Sequence, residues 1–240
     1  MNIFTEFLYR PLFNLLVFLY NTVSFSDVGL AIIILTVIIR LILWPLSQKA
    51  IRSQKSLQDL QPRIKEIQAK HKDNKALQSQ ELMALYKENK VNPLSGCLPI
   101  IVQFPILIAL YRVFLKGFDT ATLALLYPFI KNPGMIDPIS LGLVNLAQPN
   151  RVIAIAAGAL QFWQAKMMMP KKALTGVPKG SDEFMAQAIS KQTLYFLPVL
   201  TVIISWKLPA GLALYWSVTT LFTVLQQYVM LGNGKKKNPA

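Results

Sequence analysis

Few residues in this chain are of types that make or break bonds. It holds one histidine, His71, and one cysteine, Cys97, so neither an internal disulfide nor a multi-cysteine metal site can form. All 11 acidic residues fall outside the long apolar runs. That leaves no buried aspartate pair, zinc motif or proton-coupling carboxylate. No serine and lysine sit together at a depth suited to a Ser–Lys hydrolase, and no P-loop pattern occurs. Metal, cofactor and catalysis are therefore not expected. The informative residues are those that bind. Arg40 stands inside IIILTVIIRLILWPLSQKA, residues 32–50, with no acidic residue within a helical turn. Further polar residues interrupt other apolar runs: Thr36 one turn before Arg40, then Gln103, Gln161, Gln164, Thr219, Thr220, Thr223 and Gln226, with Trp216 on the last run.

The composition sets the elements that must carry them. Of 240 residues 53% are hydrophobic, 15% are charged, and mean hydropathy is +0.41, which suits an all-α integral membrane protein. A span needs about 20 apolar residues in a helix. Residues 28–46, 97–116, 150–169 and 209–231 qualify, and 192–207 forms a shorter fifth span in a tight hairpin with the last. Residues 1–27 contain Glu6, Pro11, Asn14 and Asn21 and lack a signal cleavage site. An amphipathic helix lying in the outer interface is expected there, the alternatives being a sixth span or an uncleaved signal.

Lys and Arg place these elements. Eighteen lie in 47–96, 166–192 and the tail, against five in the opposite loops, which puts the N-terminus outside and the C-terminus in the cytoplasm. The charge of +14 mostly reflects this bias, so sequence-specific nucleic-acid binding is not inferred. Within 47–96, Leu57, Leu60, Ile64 and Ile67 recur at helical spacing, HKDNK at 71–75 reads as a turn, and a second helix over 75–90 carries Leu82 and Tyr86. A cytoplasmic helical hairpin is expected, with Pro62 kinking its first helix or starting a new one. Residues 117–149 form an outer loop, 170–191 a second cytoplasmic loop, and 232–240 a short basic tail.

Arg40 lies six residues before the inner end of its span, about 9 Å deep. The glutamines and threonines fall at comparable inner depth on other spans. This convergence predicts a wet groove open to the cytoplasm and closed to the outside. The alternative is that Arg40 snorkels to the interface. A central Arg costs roughly 2.5–3.5 kcal/mol and each Leu or Ile returns about 0.3–0.6, so the helix inserts under either reading.

Three segments carry a resemblance: GLAIIILTVIIRLILWPLSQKAIRSQKSLQDLQPRIKEIQAKHK, NPLSGCLPIIVQFPILIALYRVF and LPAGLALYWSVTTLFTVLQQYVM. In this order and spacing the chain resembles the YidC/Oxa/Alb family of membrane protein insertases, over residues 28–231, with Arg40 at the position of the family's groove arginine. The resemblance implies a five-helix core, a cytoplasmic hairpin and a groove that briefly receives hydrophilic flanks of nascent membrane proteins in a bacterial plasma (inner) membrane. It makes the ribosome and the Sec translocon candidate partners besides the lipid bilayer. Some relatives carry a large periplasmic domain or a long basic tail; the N-terminal segment here has some 27 residues and the tail three lysines. Two other classes stay open. A small channel or transporter with an anion site at Arg40 requires the polar path to continue through the outer half, and a structural scaffold is indifferent to loss of the arginine.

Overall fold

The computed structural model describes residues 3–92, 98–116, 120–169 and 192–234. Its chain is mostly helical. A π-helical turn, Thr5–Tyr9, runs straight into α1, Arg10–Thr22. The buried face of this helix, Tyr9, Phe13, Leu16, Val17 and Tyr20, recurs at three and four residues and packs on α2 and α5. Asn14 interrupts the apolarity of the sequence for a reason only the fold supplies. It is 1% exposed, its amide donates to the carbonyls of Arg10 (2.8 Å) and Leu125 (3.1 Å), and its oxygen accepts the Tyr127 N–H at 2.6 Å. A buried amide so satisfied ties α1 to the segment of Leu125 and Tyr127. Asn21 adds a bond to the Lys131 carbonyl at 2.7 Å.

Helix α2 spans Val28–Ile42 and buries Val28, Ala31, Ile32, Leu35, Thr36 and Ile39. The apolar run expected to continue to residue 46 does not continue as one helix. The chain bends by 67° at Leu43 and restarts as α3, Trp44–Lys70. Pro45 is the cause: it has no N–H for the carbonyl four residues back, and its ring clashes there, whereas the first turn of a new helix accepts it. The Ser47 hydroxyl donates to the Leu43 carbonyl at 2.8 Å at the junction.

α3 continues through Pro62 as a single helix, where the sequence left a kink or a restart open. A turn capped by Asn74, whose side chain accepts the Leu77 N–H at 3.0 Å, leads to α4, Lys75–Glu88. The two helices pair, burying Ile64 and Leu85. Leu57, Leu60, Ile67, Leu82 and Tyr86 are partly buried. Near the turn Glu81 lies 2.9 Å from His71 and 3.6 Å from Lys70.

α5, Leu98–Lys116, leads through a 3-10 turn, Thr120–Leu125, to a short antiparallel hairpin, β1 (Ile139–Ser140) and β2 (Val144–Asn145), with Ser140 opposite Val144. α6, Arg151–Met167, is capped by Asn150. A π-helical turn, Gln192–Phe196, enters α7, Leu197–Ser205, and α8 covers Ala210–Gly234, a tight hairpin close to the limits read from the sequence. α6 packs on both α7 and α8, and α8 also packs on α2. Gly158 allows the α6–α7 approach, since a Cβ there would meet the Val202 side chain and the Pro198 carbonyl. Cys97, residues 170–191 and residues 235–240 lie outside the described residues. Among the described residues no single helix is long and apolar enough to cross a membrane; the bent pair of α2 and α3 is, by length and composition.

One carboxylate holds the β1–β2 hairpin to this scaffold. Asp27 caps α2 through the Leu30 N–H (2.8 Å) and accepts the Ser140 hydroxyl (2.9 Å) and the Leu141 N–H (2.5 Å). Burial alone would raise its pKa, but these bonds and one from the Gly29 N–H hold it below the ordinary value. A lowered carboxylate pKa means the stabilisation is complete above about pH 4 and disappears as the pH falls through the folded value. Asp27→Ala is therefore expected to lower stability by about 1–2 kcal/mol at neutral pH. Asp27→Asn keeps the cap and removes the acid dependence. Thermal unfolding in detergent from pH 7 downward measures both.

Candidate substrate-binding cavity

One face of α8 organises the cavity. Leu212, Tyr215, Trp216, Thr219, Thr220, Thr223 and Gln227 share one helical face, at steps of one, three and four residues, and line a cavity of about 500 Å³. Arg40 reaches it from the end of α2, Ser47 and Gln54 from α3, Gln103 and Phe104 from α5, and Gln164 from α6. Ile204 and Leu208 close it from the α7–α8 hairpin. Most of the wall is apolar, with a few convergent polar groups, as ligand cavities commonly are.

The break at Leu43 changes the setting of Arg40. The guanidinium belongs to the last turn of α2, where free carbonyls and the helix dipole favour a cation by about 0.3–1 kcal/mol, and up to ~2 in partly buried geometry. Its Nε is buried without a hydrogen-bond partner, and no ion pair to Arg40 occurs among the described residues. Gln227, 2% exposed, likewise holds its Oε1 buried and unpartnered. Beside them the Gln103 amide donates to the Tyr215 hydroxyl at 2.5 Å, linking α5 to α8.

Of the residues singled out from sequence, Arg40, Gln103, Gln164, Trp216, Thr219, Thr220 and Thr223 meet in the cavity. Three do not. Thr36 is fully buried, its hydroxyl on the Ile32 carbonyl at 2.6 Å. Gln161 accepts the Thr201 hydroxyl and so locks α6 to α7. Gln226 turns toward the α2–α3 junction, its amide 3.5 Å from the Trp44 carbonyl. Gln227 and Tyr215 were not singled out. The four-residue step from Thr223 was the available signal for the first; nothing local marked Tyr215, whose partner is 112 positions away.

The family model described as 60Kd inner membrane protein matches residues 18–237. The chain belongs to that family. It is similar to the membrane protein insertase YidC of Fusobacterium nucleatum subsp. nucleatum, with 34% identity over 95% of this chain and 99% of the relative. Similarity to the YidC insertase of Syntrophus aciditrophicus is 36% over 93% of this chain and 36% of the relative. That of Nitratidesulfovibrio vulgaris is 33% identical over 94% of this chain and 38% of the relative. The chain thus spans nearly all of one family member and little more than a third of the others. Among solved structures it is similar in fold to an active YidC insertase with its first transmembrane domain resolved. The TM-score is 0.55 at 24% identity, covering 96% of this chain and 47% of that one.

The Gln103–Tyr215 bond is testable within this family fold. A hydrogen bond of this kind contributes about 0.5–1.5 kcal/mol net. Gln103→Leu and Tyr215→Phe should each destabilise, and the double variant should lose less than their sum by about 1 kcal/mol. Denaturation in detergent around this double-mutant cycle reads the coupling, and strict additivity would remove the bond from the account.

Proposed function

We propose that this chain is a membrane protein insertase that passes hydrophilic flanks of nascent membrane proteins through the Arg40 cavity and releases their apolar helices into lipid. The observation that carries this reading is a largely buried guanidinium, unpaired with any carboxylate among the described residues, facing a cavity shared by several helices. Polar atoms buried without partners require water or a polar ligand. An acidic or polar flank of a substrate supplies such a ligand, and reduced dielectric strengthens its attraction to Arg40. The apolar part of the substrate then moves sideways into lipid, where its own hydrophobicity completes insertion. No covalent step is needed.

The same reading assigns five spans, about 28–46 (with the bend at Leu43 inside it), 97–116, 150–169, 192–207 and 209–231, with the N-terminus outside and the C-terminus in the cytoplasm. It puts the α3–α4 hairpin on the cytoplasmic side, where it captures substrates. The ribosome and the Sec translocon are partners this hairpin would meet. The packing of Thr36 favours an insertase over a channel: one turn beyond Arg40 the side chain is sealed in the core, so the polar lining does not continue outward along α2.

The test is reconstitution into liposomes with a single-span substrate series differing only in flank charge, normalised to folded protein. Losing about 1.4 kcal/mol of attraction, well under the roughly 4 kcal/mol for two charges 4 Å apart at an effective dielectric of 20, cuts insertion about tenfold. Arg40→Ala should therefore reduce acidic-flank substrates on that order and neutral ones far less. Arg40→Lys should retain much activity and Arg40→Glu should be worst. A response independent of flank charge would refute the electrostatic role. In the same assay, deleting residues 55–88 should impair insertion of every substrate while the helical core stays folded, and normal insertion would exclude the hairpin from capture.

A further inference from the structure

The outer end of the molecule carries apolar side chains that insertion through the cavity does not use. Between Lys131 and Arg151 the one charged residue is Asp137. The β1–β2 hairpin presents Leu141 and Leu143, 68% and 83% exposed, and Phe25, 94% exposed, stands in the turn before α2. Isolated exposed apolar residues are ordinary. These three stand on two segments that Asp27 joins: two residues from Phe25, it holds the Leu141 N–H and the Ser140 hydroxyl. Leu141 and Phe25 also adopt left-handed backbone, at φ 51 and 53. Gly or Asn fills such positions with less strain, so the two bulky residues are unfavourable for the fold by itself.

The occupant follows from what Asp27 does on its other side. The same carboxylate caps α2, and the apolar run begins at the next residue, Val28. On the membrane reading given above, a cap residue marks the boundary between headgroups and acyl chains. Whatever Asp27 holds lies at that level. We propose that the β1–β2 hairpin and Phe25 form a lipid anchor, with Leu141, Leu143 and Phe25 seated in the outer acyl boundary. Absence of charge on residues 139–149 suits that layer. Because α2 is continuous from Val28 to Ile42, the anchor also sets the depth of Arg40, about 20 Å along the helix.

The experiment uses the full chain with Cys97→Ser, in phosphatidylcholine–phosphatidylglycerol vesicles. Single cysteines at Leu143→Cys, Lys131→Cys and Leu221→Cys carry an environment-sensitive fluorophore. Quenchers are iodide on both sides and lipids spin-labelled near the top or the end of the acyl chain. The expected Leu143 label is blue-shifted, quenched by the shallow spin label more than by the deep one, and several-fold less sensitive to iodide than the Lys131 label. The Leu221 label, midway along α8, should respond to the deep spin label. If Leu143 is as open to iodide as Lys131 while Leu221 responds to lipid, the anchor is wrong and the membrane reading stands. Shielding of Leu143 from both iodide and lipid means that protein covers it, which also overturns the anchor. A Leu221 label that neither lipid quenches sinks the membrane reading and the anchor with it.

Discussion

The bend at Leu43 is the constraint on which the site depends. A straight helix through residues 28–46 would bury its end carbonyls in the next turn and leave Arg40 on a continuous cylinder. Pro45 disfavours that continuation, having no N–H for the Leu41 carbonyl, and here, unlike at Pro62, the helix breaks. The chain instead ends α2 two residues after Arg40, and α3 departs at 67°. The guanidinium then lies where a helix end attracts positive charge, and the diverging α3 supplies Leu46, Ser47, Ala50 and Ile51 as one wall of the cavity. A permanent charge in an apolar run thus has a structural partner in the helix terminus as well as a place in the cavity lining.

The rest of the cavity is held by two kinds of contact. On one side α6, α7 and α8 interlock through small residues, with Ala154, Ala157 and Gly158 buried, Gly158 against Val202 and Pro198, and Gln161 on Thr201. On the other side α5 meets α8 with Phe114 against Gly211 and with Gln103 on Tyr215. Close packing fixes the first wall, and a polar bond reaching into the cavity helps fix the second.

Helical periodicity made much of this legible in advance. The hairpin helices were readable from Leu57, Leu60, Ile64 and Ile67, with the turn at HKDNK, because those signals are local. So was the tight α7–α8 connection. The site was legible in part: a polar stripe on α8 and an arginine on α2 pointed to one place, but assigning which glutamine faced it needed the actual rotation of α8, and Gln226 turned away while Gln227 turned in. Thr36 and Gln161 looked like site residues by type and serve packing instead. What sequence spacing could not show were bonds between distant segments. Asn14 read as an interruption of an apolar stretch, and nothing marked Asp27, because their partners lie more than a hundred positions later.

Those distant bonds impose an order on assembly. The buried amide of Asn14 has its partners at Leu125 and Tyr127, 111 and 113 positions downstream, and Asp27 waits equally long for Ser140. During synthesis the first helix therefore cannot reach its final environment until the segment through Ser140 has been made and has docked against it. Contacts of such sequence separation close late. Until then α1 holds a polar group with only its local partner, the Arg10 carbonyl, so the N-terminal helix begins as a provisional element and becomes permanent only when more than half of the chain exists.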